Sequence, residues 1–258
     1  MQPVSDAWTS WQDACTGSNA KLANQRTATV TDRPASASRQ FRVRPRDAAT
    51  LIALRQRSGK RLILLGQRPA RARFMPGRYV FPGGAVSAGD GGVSTATPLD
   101  GAYVASMAVG GSCRRATRLA LAAVRETYEE TGLLLGVPGR TDEDLPLSWR
   151  RFFGEGLMPS LQPLRYVGRA ITPTFSEIRY HARFFLTNGE GMAGEIAPGD
   201  GELENVRWVE ESEISHLEMA EVTRFMLDRA LSLSAGKVVE LPAPVFSWRR
   251  NKRSVVWR

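Results

Sequence analysis

Two cysteines, two histidines and an absence of long apolar runs mark this 258-residue chain, and each scarcity closes a class of function. Cys15 and Cys113 are too few for a disulfide framework or a thiolate metal cluster, and they fit two free thiols in a reducing cytoplasm. The longest aliphatic run, Leu62-Ile63-Leu64-Leu65, falls far short of the ~18 residues that span a bilayer. No membrane-spanning helix is therefore expected, and no membrane partner is assigned. The Met1 region lacks the basic start and apolar stretch of a secretory signal. No internal repeat and no heptad run is present either. Hydrophobic residues make up 42% and charged residues 24%, a globular composition that excludes wholesale disorder and suits one decorated domain.

Positive charge is what the sequence has in excess: 35 Lys and Arg against 26 Asp and Glu give a net charge of +9. Such a balance favours an anionic partner, whether nucleic acid, acidic membrane or a phosphorylated small molecule.

Along the chain, residues 1–46 are rich in Ser, Thr, Ala, Asn and Gln without helical or strand period, and read as a loose leader that Trp8 and Trp11 could anchor. Ala48–Leu54 and Arg61–Leu65 then read as a β-hairpin about Ser58-Gly59. Residues 66–97 carry too much Gly and Pro for a helix and predict a long structured loop with a short strand at 78–81, of a kind that tends to be functional. Cys113–Thr131 runs without Gly or Pro and stops at Gly132, which predicts a helix with a left-handed C′ residue. Strands follow at 164–170, 179–187 and 205–209, and a closing amphipathic helix at 219–232. This order gives a mixed α/β layered domain. The chain divides into the leader at 1–46, a domain at 47–246 and a basic tail at 247–258, read as a solvated end or an anion contact.

On the long helix, Glu129 and Glu130 lie three and four places after Glu126, so the three carboxylates share one face and repel. A bound divalent cation removes that conflict, and oxygen-only donors favour Mg²⁺ or Mn²⁺. The other reading of these acids is a solvated face. Leu121, Val124 and Tyr128 are spaced to bury the opposite side, and Arg125 can hold one carboxylate by a charge-assisted pair.

Arg125-Glu126-Thr127-Tyr128-Glu129-Glu130-Thr131-Gly132-Leu133 resembles the second half of the Nudix box, the signature of a family of metal-dependent pyrophosphohydrolases. The first half, Gly-x5-acid, is met by Gly84 and Asp90, with Asp in place of the usual Glu. Thirty-four residues, instead of the usual seven, then separate Asp90 from Arg125, which implies an insertion at about 91–117. Upstream, Leu64-Leu65-Gly66-Gln67-Arg68-Pro69, Arg73, Gly77 and Phe81-Pro82-Gly83-Gly84 are similar to the motif of the coenzyme A diphosphatase branch, departing from it at Gly66 and Pro69.

These resemblances imply a Nudix fold, a mixed β-sheet sandwiched between α-helices. They imply hydrolysis of coenzyme A or acyl-CoA to 3′,5′-ADP and (acyl-)phosphopantetheine. Glu126 and Glu130 become metal ligands, Glu129 a shared ligand or water-activating base, and Arg125 part of the catalytic group. Arg68, Arg73, Gly77, Phe81, Gly83 and Gly84 become substrate-binding positions, with Arg71 and Arg78 adding charge to the entry loop. Glu202 is the favoured carboxylate of a later loop, ahead of Glu177, Asp200 and Glu204. His181 reads as a hydrogen-bonded histidine, His216 as exposed, and Phe74 and Tyr79 as loop packing or adenine stackers. A small nucleotide diphosphate substrate is the expected partner, a homodimer is compatible, and nucleic acid is disfavoured. Two alternatives remain open: hydrolysis of ADP-ribose, NADH or dinucleoside polyphosphates, and a non-catalytic nucleotide- or RNA-binding module. The insertion could serve as a lid, a dimer contact or a surface excursion.

Overall fold

A computed structural model describes residues 43–141, 144–197, 199–249 and 252–258, and the fold is that of the unit Arg44–Arg258. Trp8, Trp11, Cys15 and nearly all of the leader lie outside the described residues. Among those described, no helix is long and apolar enough to cross a membrane.

The hairpin expected from the aliphatic runs is present as β1 (Arg46–Arg57) and β2 (Lys60–Gln67), with Ser58 and Gly59 both at positive φ in the turn. β1 is long, and β2 pairs with its second half, from Leu54 to Arg57. The first half, Ala48 to Thr50, is taken by a short strand that the sequence does not announce, β4 (Gly83–Ala85), after β3 (Tyr79–Val80). This exchange of partners carries Gly83 and Gly84 into the middle of the sheet.

The other edge of β1 pairs in parallel with β8 (Tyr180–Asn188), which pairs with β7 (Arg165–Ile171). β9 (Glu204–Glu210) lies against β2. The residues set apart by their charge as a tail belong to a terminal hairpin, β10 (Pro244–Arg249) and β11 (Lys252–Trp257), and β10 runs parallel to β7. Alternation of Phe246 and Trp248 is a strand signal that the Arg and Lys residues around it obscure. A small separate ribbon joins β5 (Gly136–Pro138) to β6 (Leu157–Pro159).

Helices cover both faces of the nine-stranded sheet. On one side lies α1 (Cys113–Thr131), capped by the Ser112 hydroxyl accepting from the Arg115 amide and ended by Gly132 at φ 77°. Its Ala120–Ala123 stretch is fully buried, since small side chains allow close approach of helix to sheet. Beside it packs α2 (Leu147–Gly154), whose Trp149 and Phe152 are buried. On the other face α3 (Glu221–Ser234) buries Met226, Leu227, Ala230 and Leu233 against Ile52, Val167 and Phe246. The architecture is thus α/β/α with a mixed sheet.

The expected insertion at about 91–117 comprises residues 91–112 and the first turn of α1, and residues 91–112 are anchored in the core. Leu99, Tyr103, Met107 and Val109 join the same core as α1. The buried Arg183 guanidinium holds this stretch in place, donating to the Met107 and Ala108 carbonyls and pairing with Asp47.

Candidate active site

The last two turns of α1 present the three glutamates toward β4, and one arginine organises them. Arg125 Nε and Nη2 donate to the two oxygens of Asp90 at 2.7 and 3.1 Å. Its Nη2 also meets Glu126 Oε1 at 2.8 Å and the Ala85 carbonyl at 3.1 Å, while Nη1 donates to Glu129 Oε2 at 2.6 Å. Every arm of the guanidinium is used, which fixes the rotamers of two glutamates at once. Burial alone would make Arg125 a weaker cation, but Asp90, Glu126 and Glu129 more than offset that and hold it protonated.

Asp90 reaches the helix across thirty-four intervening residues because it sits in a short 3-10 turn, Ala88–Gly91, capped by Ser87. Its carboxylate is fully buried and also accepts from Trp149 Nε1 at 3.1 Å. Trp149 is a residue of the site's support that sequence reasoning misses, although the spacing of Trp149, Phe152 and Phe153 carries a helical signal.

Glu130 is the most enclosed of the three. Its Oε2 accepts from the Gly83 amide at 2.8 Å, while Oε1 is buried with no partner. Burial, followed by repulsion from Glu126 and Glu202, pushes its carboxyl well above the ordinary range, against the pull of the Gly83 amide and Arg68. Glu126 is raised to about 7, first by burial and then by Glu129 and Glu202, with Arg125 opposing. Glu129, half-buried, is raised by burial and by Asp200 and Asp90. A Cβ at Gly84 would overlap the Glu126 carboxylate, so only glycine lets the sheet approach so closely at this point.

Of these groups Glu126, Gly83 and Gly84 line a cleft of about 560 Å³, a size suited to a small-molecule ligand, and Glu129 and Glu130 are set behind its lining. Arg68, Phe81, Gly83, Gly84, Glu126 and Glu202 all line it. Arg68 Nη1 lies 3.4 Å from Glu202 Oε2, and Glu202 carries its charge toward both Glu126 and Glu130. Asp200 supports this loop by accepting from the Glu202 amide, and its own amide donates to the Glu129 carbonyl. Glu177 and Glu204 are exposed and outside the cleft lining.

Not every upstream motif residue meets the cleft. Arg73 is exposed and does not line it, nor do Arg71 and Arg78. Gly77 acts on the loop instead: at φ 70° its amide donates to the Arg68 carbonyl, which turns the chain back beside β2. His181 lies away from the carboxylates, with its Nε2 3.1 Å from Arg169 Nη1; burial and the Arg183 and Arg169 cations push it down to about 4. His216 is exposed. Phe74 lines the cleft against Tyr180, and Tyr79 does not line it.

Among the described residues no three His, Cys, Asp or Glu side chains close on a common point as they stand. The donors nevertheless suit a hard divalent cation. They are oxygen only, one buried carboxylate oxygen has no partner, and three neighbouring carboxyls are all destabilised as anions.

No protein-family model matches the sequence, nor does any curated protein. Solved structures do. A NUDIX hydrolase from Alicyclobacillus acidocaldarius is 25% identical, with a TM-score of 0.59 over 77% of this chain and 98% of its own. The chain has the Nudix hydrolase fold. More distant structures include the NUDIX domain of Shewanella oneidensis NrtR complexed with ADP ribose, 11% identical at a TM-score of 0.43 over 78% and 94% of the two chains. A C. elegans Ap4A hydrolase is 15% identical at 0.41 over 74% and 98%. Within this Nudix fold the acidic end of α1 packs directly against the glycine strand β4 at the edge of the cleft.

Proposed function

We propose that this hydrolase of phosphoanhydride bonds is a divalent-metal-dependent pyrophosphohydrolase that cleaves coenzyme A or its acyl thioesters to 3′,5′-ADP and (acyl-)phosphopantetheine. The observation that carries the reading is the Arg125 hub. It ties Asp90, Glu126 and Glu129 into one array facing Gly83 and Gly84, with Glu130 Oε1 left unpaired beside them. Residues 91–112 are then an insertion within the box loop that leaves its two halves in contact.

Glu126 and Glu130 would hold the cation, with Glu202 at the opposite lip. When bound, Mg²⁺ or Mn²⁺ supplies a Lewis acid that polarises a phosphoryl oxygen and acidifies water. Glu129, held by Arg125 at the edge of the array and only half-buried, accepts the proton of the attacking water. Arg68 meets the substrate's phosphate charge, exchanging its long contact with Glu202 for the diphosphate. The Gly83–Gly84 backbone allows the scissile bond to lie against the sheet.

The test is phosphate-product release from coenzyme A, acetyl-CoA, ADP-ribose, NADH and diadenosine polyphosphates with Mg²⁺, Mn²⁺ or EDTA, beside Glu129→Gln. Metal-dependent cleavage of the coenzyme A group, reduced about 10²–10⁴-fold in the variant, is expected. Faster turnover of another member keeps the chemistry and removes the substrate. Silence across the panel would return weight to a nucleotide-binding module.

A further inference from the structure

The cleft is larger than a diphosphate requires, and its two ends differ in chemistry. The carboxylates and Arg68 occupy one end. The remaining lining is largely apolar, with Phe74, Met75, Ile171, Tyr180, Phe246 and Trp248 in it, and Arg46, opposite Tyr180 across the β1–β8 pair, is its cation. Its floor is the sheet, since Phe246 and Trp248 alternate onto the cleft side of β10 as Ala182 and Phe184 do on β8. The exposed Phe175 ring meets Trp248 edge-on at 6.5 Å, so aromatic area continues out to the mouth.

This end is held rigidly although it is built partly from the chain terminus. Arg229 of α3 donates to the Val167, Val239 and Glu240 carbonyls and lies 4.7 Å from the Trp257 ring centre. Arg253 of β11 pairs with Glu221 on the first turn of α3. The terminal hairpin is thereby clamped to α3 and to β7, and Trp248 is presented at a fixed place.

We propose that this apolar end is the subsite for the acyl-pantetheine arm, and that Trp248 sets the preference for long acyl chains. The inference rests on the coenzyme A reading. Charge chooses the arm. The nucleotide half of coenzyme A carries a 3′-phosphate; Arg46 and Arg68 are the cations of the lining, while Ile171, Phe246 and Trp248 offer that phosphate no charge and Glu221 beside them is already paired with Arg253. The pantetheine half is uncharged and ends in the acyl chain. Continuity chooses it too: the same cleft runs from Glu126 and Arg68 to Trp248 without a dividing wall.

The experiment compares coenzyme A, hexanoyl-CoA and lauroyl-CoA in two ways: kcat/KM with Mg²⁺ or Mn²⁺, and affinity in EDTA by intrinsic tryptophan fluorescence. Each buried methylene is worth about a fourfold gain, so lauroyl-CoA should exceed coenzyme A by at least tenfold in both readouts. Trp248→Ala should cut that ratio to near unity, and Trp248→Phe should restore most of it. Val222→Trp, which narrows the groove from α3 without emptying it, should lower the ratio for lauroyl-CoA more than for hexanoyl-CoA.

A flat chain-length dependence in the unaltered protein overturns the subsite. So does an equal loss on coenzyme A and lauroyl-CoA in Trp248→Ala, which would give the groove to the adenine ring. Failure of the function reading looks different. No turnover of any coenzyme A species, with chain-dependent binding retained in EDTA, sinks the hydrolase substrate and leaves the apolar subsite standing.

Discussion

Two stretches on either side of Asp90 look alike in sequence and end in opposite places. Residues 66–86 and 91–112 are both rich in Gly and in small residues, and neither has a clear helical or strand period. The first builds the cleft: Arg68, Phe74, Phe81, Gly83 and Gly84 line it. The second builds the core, with Met107 wholly buried and its carbonyl held by Arg183. The difference lies in what each has to satisfy. The first can trade backbone hydrogen bonds with β1 and β2, so it lies along the sheet and leaves its side chains free for a ligand. The second has no strand partner beyond the bridge of Thr97 to Ser160, and an internal arginine supplies the donors that its carbonyls need.

Asp90 is the joint between the two, and removing it should give the largest effect. Asp90→Ala leaves the buried Arg125 without its bidentate partner and Trp149 Nε1 without an acceptor. A loss of about 3–5 kcal/mol of stability is expected in denaturant titration, because an uncompensated buried charge remains. Intact stability would show that Glu126 and Glu129 alone can hold the arginine.

The next two substitutions separate the stretches. Met107→Ala should cost about 2–5 kcal/mol through the cavity it leaves, with kcat and KM of the surviving folded protein little changed. Gly84→Ala should do the reverse, lowering kcat/KM about 10²-fold by displacing the Glu126 carboxylate while the melting temperature stays close. If Met107→Ala altered substrate preference at preserved stability, the division into core and cleft would fail. Within the first stretch, Arg68→Met should raise KM by about tenfold, the loss of one charge-assisted contact, and Arg73→Met by much less. Equal effects would restore to Arg73 the place that motif spacing gives it and that its exposure argues against.

How far these outcomes were legible in the sequence depends on how local their causes are. The extent of α1 follows from local rules, nineteen residues without Gly or Pro and Gly132 as stop, and the structure adds Ser112 as its cap. The hairpin of β1 and β2 was equally readable from its aliphatic runs and its turn. Glu126, Glu129 and Glu130 share a face by helix period alone, and of the three only Glu126 lines the cleft, Glu129 and Glu130 lying beside it on the last turns of α1. What their neighbours are is a matter of tertiary contact. No period places Trp149 against Asp90, or shows that β1 changes partner from β2 to β4. The terminal hairpin was hidden for another reason: five cations among the last ten residues suggest a solvated end, and only the apolar alternation beneath them forms strands. Arg73 is the converse case, a position in register with a motif but turned to solvent.

The smallest expected effect concerns the anchor of the second stretch. His181 sits two residues before Arg183 on β8, and its carbonyl accepts from the Arg183 guanidinium. Burial, with Arg183 and Arg169 beside it, lowers its pKa from 6.5 to about 4, so the native protein keeps the ring neutral. The unfolded chain takes up that proton first as the pH falls. Stability from this group is therefore complete above pH 6.5 and is lost progressively between 6.5 and about 4. His181→Gln removes the titration while leaving a side chain able to accept from Arg169. Its melting temperature should change less between pH 7 and pH 4.5 than that of the unaltered protein, the Asp47 pair with Arg183 being common to both. If the acid loss persists undiminished in the variant, the lability belongs to carboxylates such as Asp47, whose pKa Arg183 and Arg115 hold down against burial. The anchor would then be weakened at the acid and not at the histidine.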